Sequence, residues 1–427
     1  MDIHVVRAGE TVSSVAARYG VPAGILAGVN GVAPDAPLAV GQTLVVRHPR
    51  ELHTVASGES VYSIALRYGL SVRTLYQNNP ALGGRSALYP GQTLVIAYDD
   101  APLRTLAVNA YSYPFIRGGL LDAALPYLTY LTPFTYGIDA DGTLLPLADE
   151  WLLAAAGQYR TAALMHLSTL TEEGRFDNAR STLILEDADA QDALVQSILE
   201  AVQARHYFGL DVDFEYVLPE QREAYAAFIT RLREALNPLG CPVIVALAPK
   251  TSAAQRGLLY EAHDYALLGA AANAVFLMTY EWGYTYGPPM AVAPLGQVRA
   301  VLDYALTAVA PEKIFMGIPL YGYDWPLPFV SGETRAESLS PMQAVERALR
   351  HDIAIQYDAA AQAPYYHYTD RGGRKHTVWF EDARSIEAKL RLADEYHLQG
   401  VGYWNLTRPF PQNWAVLASL FDIETLL

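Results

Sequence analysis

Three carboxylates in the run Gly209-Leu210-Asp211-Val212-Asp213-Phe214-Glu215-Tyr216 alternate with apolar residues. On a β-strand successive side chains point to opposite faces, so Asp211, Asp213 and Glu215 share one face while Leu210, Val212 and Phe214 fill the other. Like charges crowded together and shielded from water raise one another's pKa, and at least one carboxyl then keeps its proton near neutral pH. A protonated acid beside an ionised carboxylate is equipment for breaking a glycosidic bond. Two other readings compete: a solvated acidic face on an edge strand, and a metal site. A strand this apolar on its other face makes a poor edge, and no His stands nearby at a spacing suited to a transition metal. Acid–base chemistry is therefore favoured, with no metal and no cofactor expected.

The acidic run needs a frame that presents it to a cleft. Apolar, β-rich segments near 105–111, 130–137, 161–167, 208–215, 243–247, 274–278, 314–318 and 400–405 alternate with amphipathic stretches such as 189–204 and 220–236. Eight strands separated by crossover helices predict an α/β fold, a (β/α)8 barrel over residues 103–427, with the acidic strand fourth. Chemistry in such barrels sits at the carboxyl ends of the strands, where Glu215 falls. Other polar or aromatic residues recur at strand ends: Asn109, Tyr111, Tyr136, His166, Tyr280, Glu281, Trp282, Tyr321, Tyr403, Trp404 and Asn405. Each alone reads as rim packing, but together they place aromatics and carboxyls at one mouth, which suits the apolar faces and hydroxyls of sugars. The stretch from about 321 to 377 exceeds one helix and predicts a small insertion between strands 7 and 8 that walls the cleft.

The first 98 residues carry an internal repeat. His4-Val5-Val6-Arg7-Ala8-Gly9-Glu10-Thr11 returns as His53-Thr54-Val55-Ala56-Ser57-Gly58-Glu59-Ser60, Arg18-Tyr19-Gly20 as Arg67-Tyr68-Gly69, Asn30 as Asn79, and Gly41-Gln42-Thr43-Leu44-Val45 as Gly91-Gln92-Thr93-Leu94-Val95. The copies divide as 1–49 and 50–98, and each reads strand, helix, helix, strand. Thr11 and Ser60 are expected helix N-caps, and Gly20 and Gly69 helix ends. Net charge is −15. The repeats hold seven Arg against five Asp or Glu, or +2, which leaves −17 on the rest. An acidic body argues against nucleic acid as a partner. No apolar run is long enough to span a bilayer, and the first residues lack a secretory signal pattern.

The repeats resemble LysM domains, from the Gly-Glu-Thr/Ser start through the Asn to the Gly-Gln-Thr-Leu end. That resemblance implies binding of a peptidoglycan or chitin-like N-acetylglucosamine polymer in a shallow groove, lined by Gly9, Thr11 and Asn30 in one copy and by Gly58, Ser60 and Asn79 in the other. Two tandem modules raise avidity for a repetitive polymer. The remainder resembles the family 18 glycoside hydrolases. Asp211-Val212-Asp213-Phe214-Glu215-Tyr216 matches their fourth-strand signature, Met278-Thr279-Tyr280 the sixth-strand segment and Trp404 the eighth-strand tryptophan. Two positions depart: Phe208 stands where the signature has a further Asp, which puts the tuning of Asp213 in question, and Glu281 stands where Asp is common.

The resemblance implies a catalytic set of Glu215, Asp213 and Tyr280, with substrate binding by Asp211, Trp404, Glu281, Tyr111, Asn109 and Tyr321. Glu215 is the proton donor, the substrate's own 2-acetamido group is the nucleophile, and Asp213 stabilises the intermediate. Met278–Leu295 and the 378–382 segment look closer to the spore-germination branch, the cortex-lytic N-acetylglucosaminidases that act on peptidoglycan fragments bearing muramic lactam. The expected location is the spore coat or cortex surface, or the cell wall after export with a signal removed. The alternatives are a chitinase or endo-N-acetylglucosaminidase on other glycans, and a non-catalytic glycan-binding coat protein. A metal-dependent deacetylase needs converging His and Asp ligands, and the ten His show no paired spacing.

Overall fold

The computed structural model describes residues 1–171 and 176–427. Eight parallel strands, Arg104–Ser112, Tyr130–Pro133, Ala162–Ser168, Gly209–Asp213, Val243–Leu247, Ala274–Leu277, Ile314–Pro319 and Gly400–Trp404, follow one another around a barrel. It closes where the eighth pairs with the first, from Gly400 opposite Ala107 to Tyr403 opposite Ala110. All eight predicted strands are present. The second stops at Pro133, four residues short of the expected end, and Gly137–Ile138 instead opens a hairpin with Leu144–Leu145. The fourth ends at Asp213, so Glu215 sits in the turn beyond it, just before Tyr216, whose φ is +57°.

Packing explains the register. Phe214 stacks on Tyr225 and Phe228 of the following helix Arg222–Leu236, with ring centroids 5.7 Å apart in both pairs. The even-numbered side chains of strand 4 thus face the helical layer, and its acids face the barrel interior. Glycines on strands 7 and 8 leave room there for rings: a Cβ at Gly317 would lie 2.7 Å from Tyr280, and one at Gly402 would lie 2.4 Å from Phe276.

Between strands 7 and 8 the chain builds the expected insertion, a five-stranded antiparallel sheet from Gly322–Pro326 to Lys375–Trp379 with helix Pro341–Arg350. Asp324 anchors it, accepting from Tyr368 at 2.6 Å and bonded to His376 at 2.8 Å and to Arg347.

Each N-terminal repeat forms two helices over a two-stranded antiparallel sheet, Asp2–Val5 with Thr43–Val46 and Pro49–Thr54 with Thr93–Tyr98. Thr11 and Ser60 close capping boxes with Ser14 and Ser63, and Gly20 and Gly69 adopt φ of +67° and +66° at the helix ends. The entry loops are matched too. Glu10 Oε2 accepts from the Arg7 amide and pairs with His4 at 2.7 Å, and Glu59 does the same with Ala56 and His53.

Candidate active site

Strand 4 delivers Asp211 and Asp213 into the buried barrel interior, with exposures of 0 % and 5 %. Tyr111, from strand 1, donates its hydroxyl to Asp211 Oδ2 at 2.7 Å. Oδ1 of each aspartate is buried without a hydrogen-bond partner among the described residues. Burial raises Asp211 to about 7 against the opposing pull of Tyr111. Burial, then the charges of Glu215 and Asp211, hold Asp213 well above the carboxylate range. Glu215 is raised to about 7, first by burial and then by the charge of Glu281. Each of the three acids is thereby pushed toward keeping a proton near neutral pH.

His166 flanks this cluster from strand 3, in register with Asp211. Its Nε2 lies 3.9 Å from Asp213 Oδ2, and its Nδ1 is 2.6 Å from Thr135 Oγ1. Burial pushes the ring down to about 3, so the imidazole is neutral and its approach to Asp213 is no ion pair. With Thr135 as donor to Nδ1, the Nε2–H faces the aspartate.

Aromatics form the surroundings. Trp404, at the end of strand 8, is gripped edge-on by Tyr111, Tyr113 and Phe134 at centroid distances of 5.5, 5.9 and 4.9 Å. Tyr280 is buried against Phe276, and the charges of Asp213 and Glu215 act on its hydroxyl after burial itself. Glu281, with φ +67°, accepts hydrogen bonds from Tyr321 and, at 3.0 Å, from Tyr323 of the insertion. A cavity of about 650 Å³ opens here, lined by Tyr113, Phe115, Trp404, Glu281, Tyr323 and Arg408 among others. Its size and its mixture of rings and polar groups fit an oligosaccharide segment.

The family model described as glycosyl hydrolases family 18 matches residues 171–408, over half the chain, and the LysM domain model matches residues 4–47 and 53–97. The chain belongs to glycosyl hydrolase family 18. It is a glycosidase bearing two LysM domains. It is 39% identical over 433 residues to a cortical fragment-lytic enzyme of Bacillus subtilis (strain 168), covering 99% of both chains. The crystal structure of the Bacillus cereus spore cortex-lytic enzyme SleL superposes with a TM-score of 0.84 at 38% identity, covering 99% of this chain and 98% of that one. A chitinase from Chromobacterium violaceum ATCC 12472 gives a TM-score of 0.69 at 26% identity over 74% of this chain and 98% of its own.

Within this family 18 barrel the structure brings Glu215, Asp213, Asp211, Tyr280, Tyr111, Glu281, Tyr321 and Trp404 to one end of the strands, with roles that differ from simple contact. Asp211 and Tyr111, 0 % and 2 % exposed, form a buried backing to Asp213 rather than a sugar-facing surface. Asn109 is corrected: it lies two residues deeper on strand 1, 3 % exposed, and its amide oxygen accepts from Thr132 at 2.8 Å. Phe208 is corrected as well. Its ring packs on Tyr130, which also meets Phe315, and it precedes the strand, five positions and about 16 Å from Asp213. An acid at that position would have been remote from Asp213, whose tuning it was expected to affect.

In the repeats, Asn30 and Asn79 are not groove residues. Both are buried, and each amide bonds one carbonyl of its own helix and both backbone groups of a strand residue, Val45 or Val95. Gly9 and Gly58, at φ +79° and +85°, shape the exposed entry loops together with the caps Thr11 and Ser60. Sequence reasoning missed Tyr113, Phe115, Tyr323 and Arg408 in the cleft wall. For Tyr323 a signal existed in the alternation Tyr321-Gly322-Tyr323 just past strand 7.

Proposed function

We propose that this glycosidase hydrolyses N-acetylglucosaminyl bonds of peptidoglycan, acting on spore cortex fragments with retention of configuration. The observation that carries the chemistry is the placement of Glu215 just past the end of strand 4, next in alternation to the buried Asp213 and Asp211, with Tyr111 donating to Asp211; burial and the charge of Glu281, which lines the aromatic cleft, raise its acid to about 7. The substrate class is supported by end-to-end similarity to cortical fragment-lytic enzymes, which also supports a spore-associated place of action outside the cell.

Glu215 gives its proton to the glycosidic oxygen as the C1–O bond breaks. The carbonyl oxygen of the substrate's 2-acetamido group attacks C1 and forms an oxazolinium ion, so no protein nucleophile is required. Asp213 accepts from the acetamido N–H and stabilises the positive charge, while Tyr111 steadies Asp211 by donating to it. Tyr280 donates to the acetamido oxygen, and Trp404 supports the sugar that is cut. Glu215, now ionised, takes a proton from water as the water opens the ring at C1. The LysM region holds the enzyme on the polymer.

Purified cortex fragments, fragments with deacetylated glucosamine, and N-acetylglucosamine oligomers are digested in parallel and the products identified by mass. New reducing ends on N-acetylglucosamine from cortex fragments, with none from the deacetylated ones, is the expected result. Faster cleavage of the oligomers than of cortex fragments points to a chitinase, and release of muramyl reducing ends overturns the bond assignment.

A further inference from the structure

The two LysM domains are close in sequence, yet the fold uses them differently. The first is bolted to the barrel by the segment that leads into its second strand. Gln412, on the last barrel helix, donates to Asn30 Oδ1 at 3.0 Å and to the Thr43 carbonyl at 2.6 Å, and accepts from Thr43 Oγ1 at 3.1 Å. The amide of Ile355, in the insertion, donates to the Val40 carbonyl at 2.8 Å. Gly41 is pressed so close that a Cβ there would lie 2.0 Å from the Ile355 carbonyl oxygen. Ala39 is buried in the core of the insertion with Leu339, Ala344 and Tyr366.

The second domain leaves the same segment open. A Cβ at Gly91, the counterpart of Gly41, would meet nothing within 4 Å, and Tyr89, the counterpart of Ala39, is 72 % exposed. This domain docks instead through its second helix and the turn beyond it: Arg73 and Gln77 donate to the Pro126 carbonyl, and Tyr159 donates to the Gly84 carbonyl. Its first helix also changes character. Tyr62 and Leu66, one turn apart and each 68 % exposed, replace the exposed Ser13 and Ala17 of the first domain. Hydrogen bonds place the Tyr89 turn against the strand end that leads into this helix. The Tyr89 turn is bonded to Val55 through Gly91 and Gln92, and Val55 leads into the Ser57–Ser60 loop that precedes Tyr62.

We infer that the two domains divide their labour: the first is a bracket between barrel and insertion, and the second presents the polymer-gripping face, built from Tyr62, Leu66 and Tyr89. The occupant is a glycan strand containing N-acetylglucosamine, since exposed tyrosine rings offer the flat apolar surface that sugar rings and acetyl methyls cover. This rests on the reading of the LysM domains as binders of such polymers.

The test uses the full chain and insoluble peptidoglycan. Tyr62→Ser, Leu66→Ala and Tyr89→Ala are combined, restoring what the first domain carries. The matched variant Ser13→Glu with Ala17→Glu alters the same helix face of the first domain. Cosedimentation of the first variant is expected to weaken about tenfold or more, while the second changes less than about twofold. Turnover on small soluble fragments and the melting curve stay as in the parent for both. Equal losses from the two variants, or unweakened binding by the first, overturn the division. A parent chain that fails to sediment with any N-acetylglucosamine polymer overturns the binding reading itself, and the division falls with it.

Discussion

Replacing Glu281 by Gln separates the two forces that keep a proton on Glu215. Burial is the larger and the charge of Glu281 the second, and together they lift Glu215 from 4.5 to about 7. At pH 7 an acid with that pKa is protonated in about half of the molecules, against about 1 in 300 at 4.5, so the whole environment is worth roughly 150-fold in competent enzyme. Gln keeps the acceptor for Tyr321 and Tyr323 but removes the like charge, so Glu215 loses its proton at lower pH. The smaller share of the effect predicts a loss of about two- to tenfold at pH 7 and above, with little change at pH 5. The assay is kcat/KM on soluble cortex fragments from pH 4.5 to 9. A basic limb that stays in place, or moves to higher pH, would refute the assignment of Glu281 as the group that tunes the acid.

Asn79→Ala is expected to destabilise the second LysM domain by about 2–4 kcal/mol, because three buried backbone groups lose their partner. Urea unfolding followed by limited proteolysis reads this, with intact turnover on small fragments; a variant with parental stability would return Asn79 to a surface role. Tyr111→Phe removes the donor that lowers Asp211, so Asp211 holds its proton to higher pH. The acidic limb of kcat/KM then moves upward, and an unshifted limb would show that the aspartates are not linked to turnover.

The barrel was legible because each buried strand is a short apolar run bounded by turn residues, as at Val243–Leu247 and Ile314–Pro319. The candidate acids were legible because period-two alternation is local: Phe214 and Asp213 face opposite layers whatever the rest of the chain does. What escaped was non-local. Asn30 and Asn79 look like loop residues in sequence, yet their amides meet strands 15 and 16 residues away. Phe208 matches a signature position, but it lies ahead of the strand, at the end of the barrel away from Glu215. Tyr323 reaches the cleft only because the insertion folds back on Glu281, and Phe115 because it stacks on Tyr113 at 4.9 Å. The unequal docking of two similar repeats depends on Gln412 and Ile355, hundreds of residues downstream, and no periodicity announces it.

Glu215→Gln tests the central claim most directly. The amide keeps the size and polarity of the acid but cannot supply a proton, so turnover on cortex fragments should fall by at least about 10²–10⁴-fold, while fragment affinity, measured by calorimetry, stays within about threefold. Parental turnover in that variant would contradict the whole account of bond cleavage.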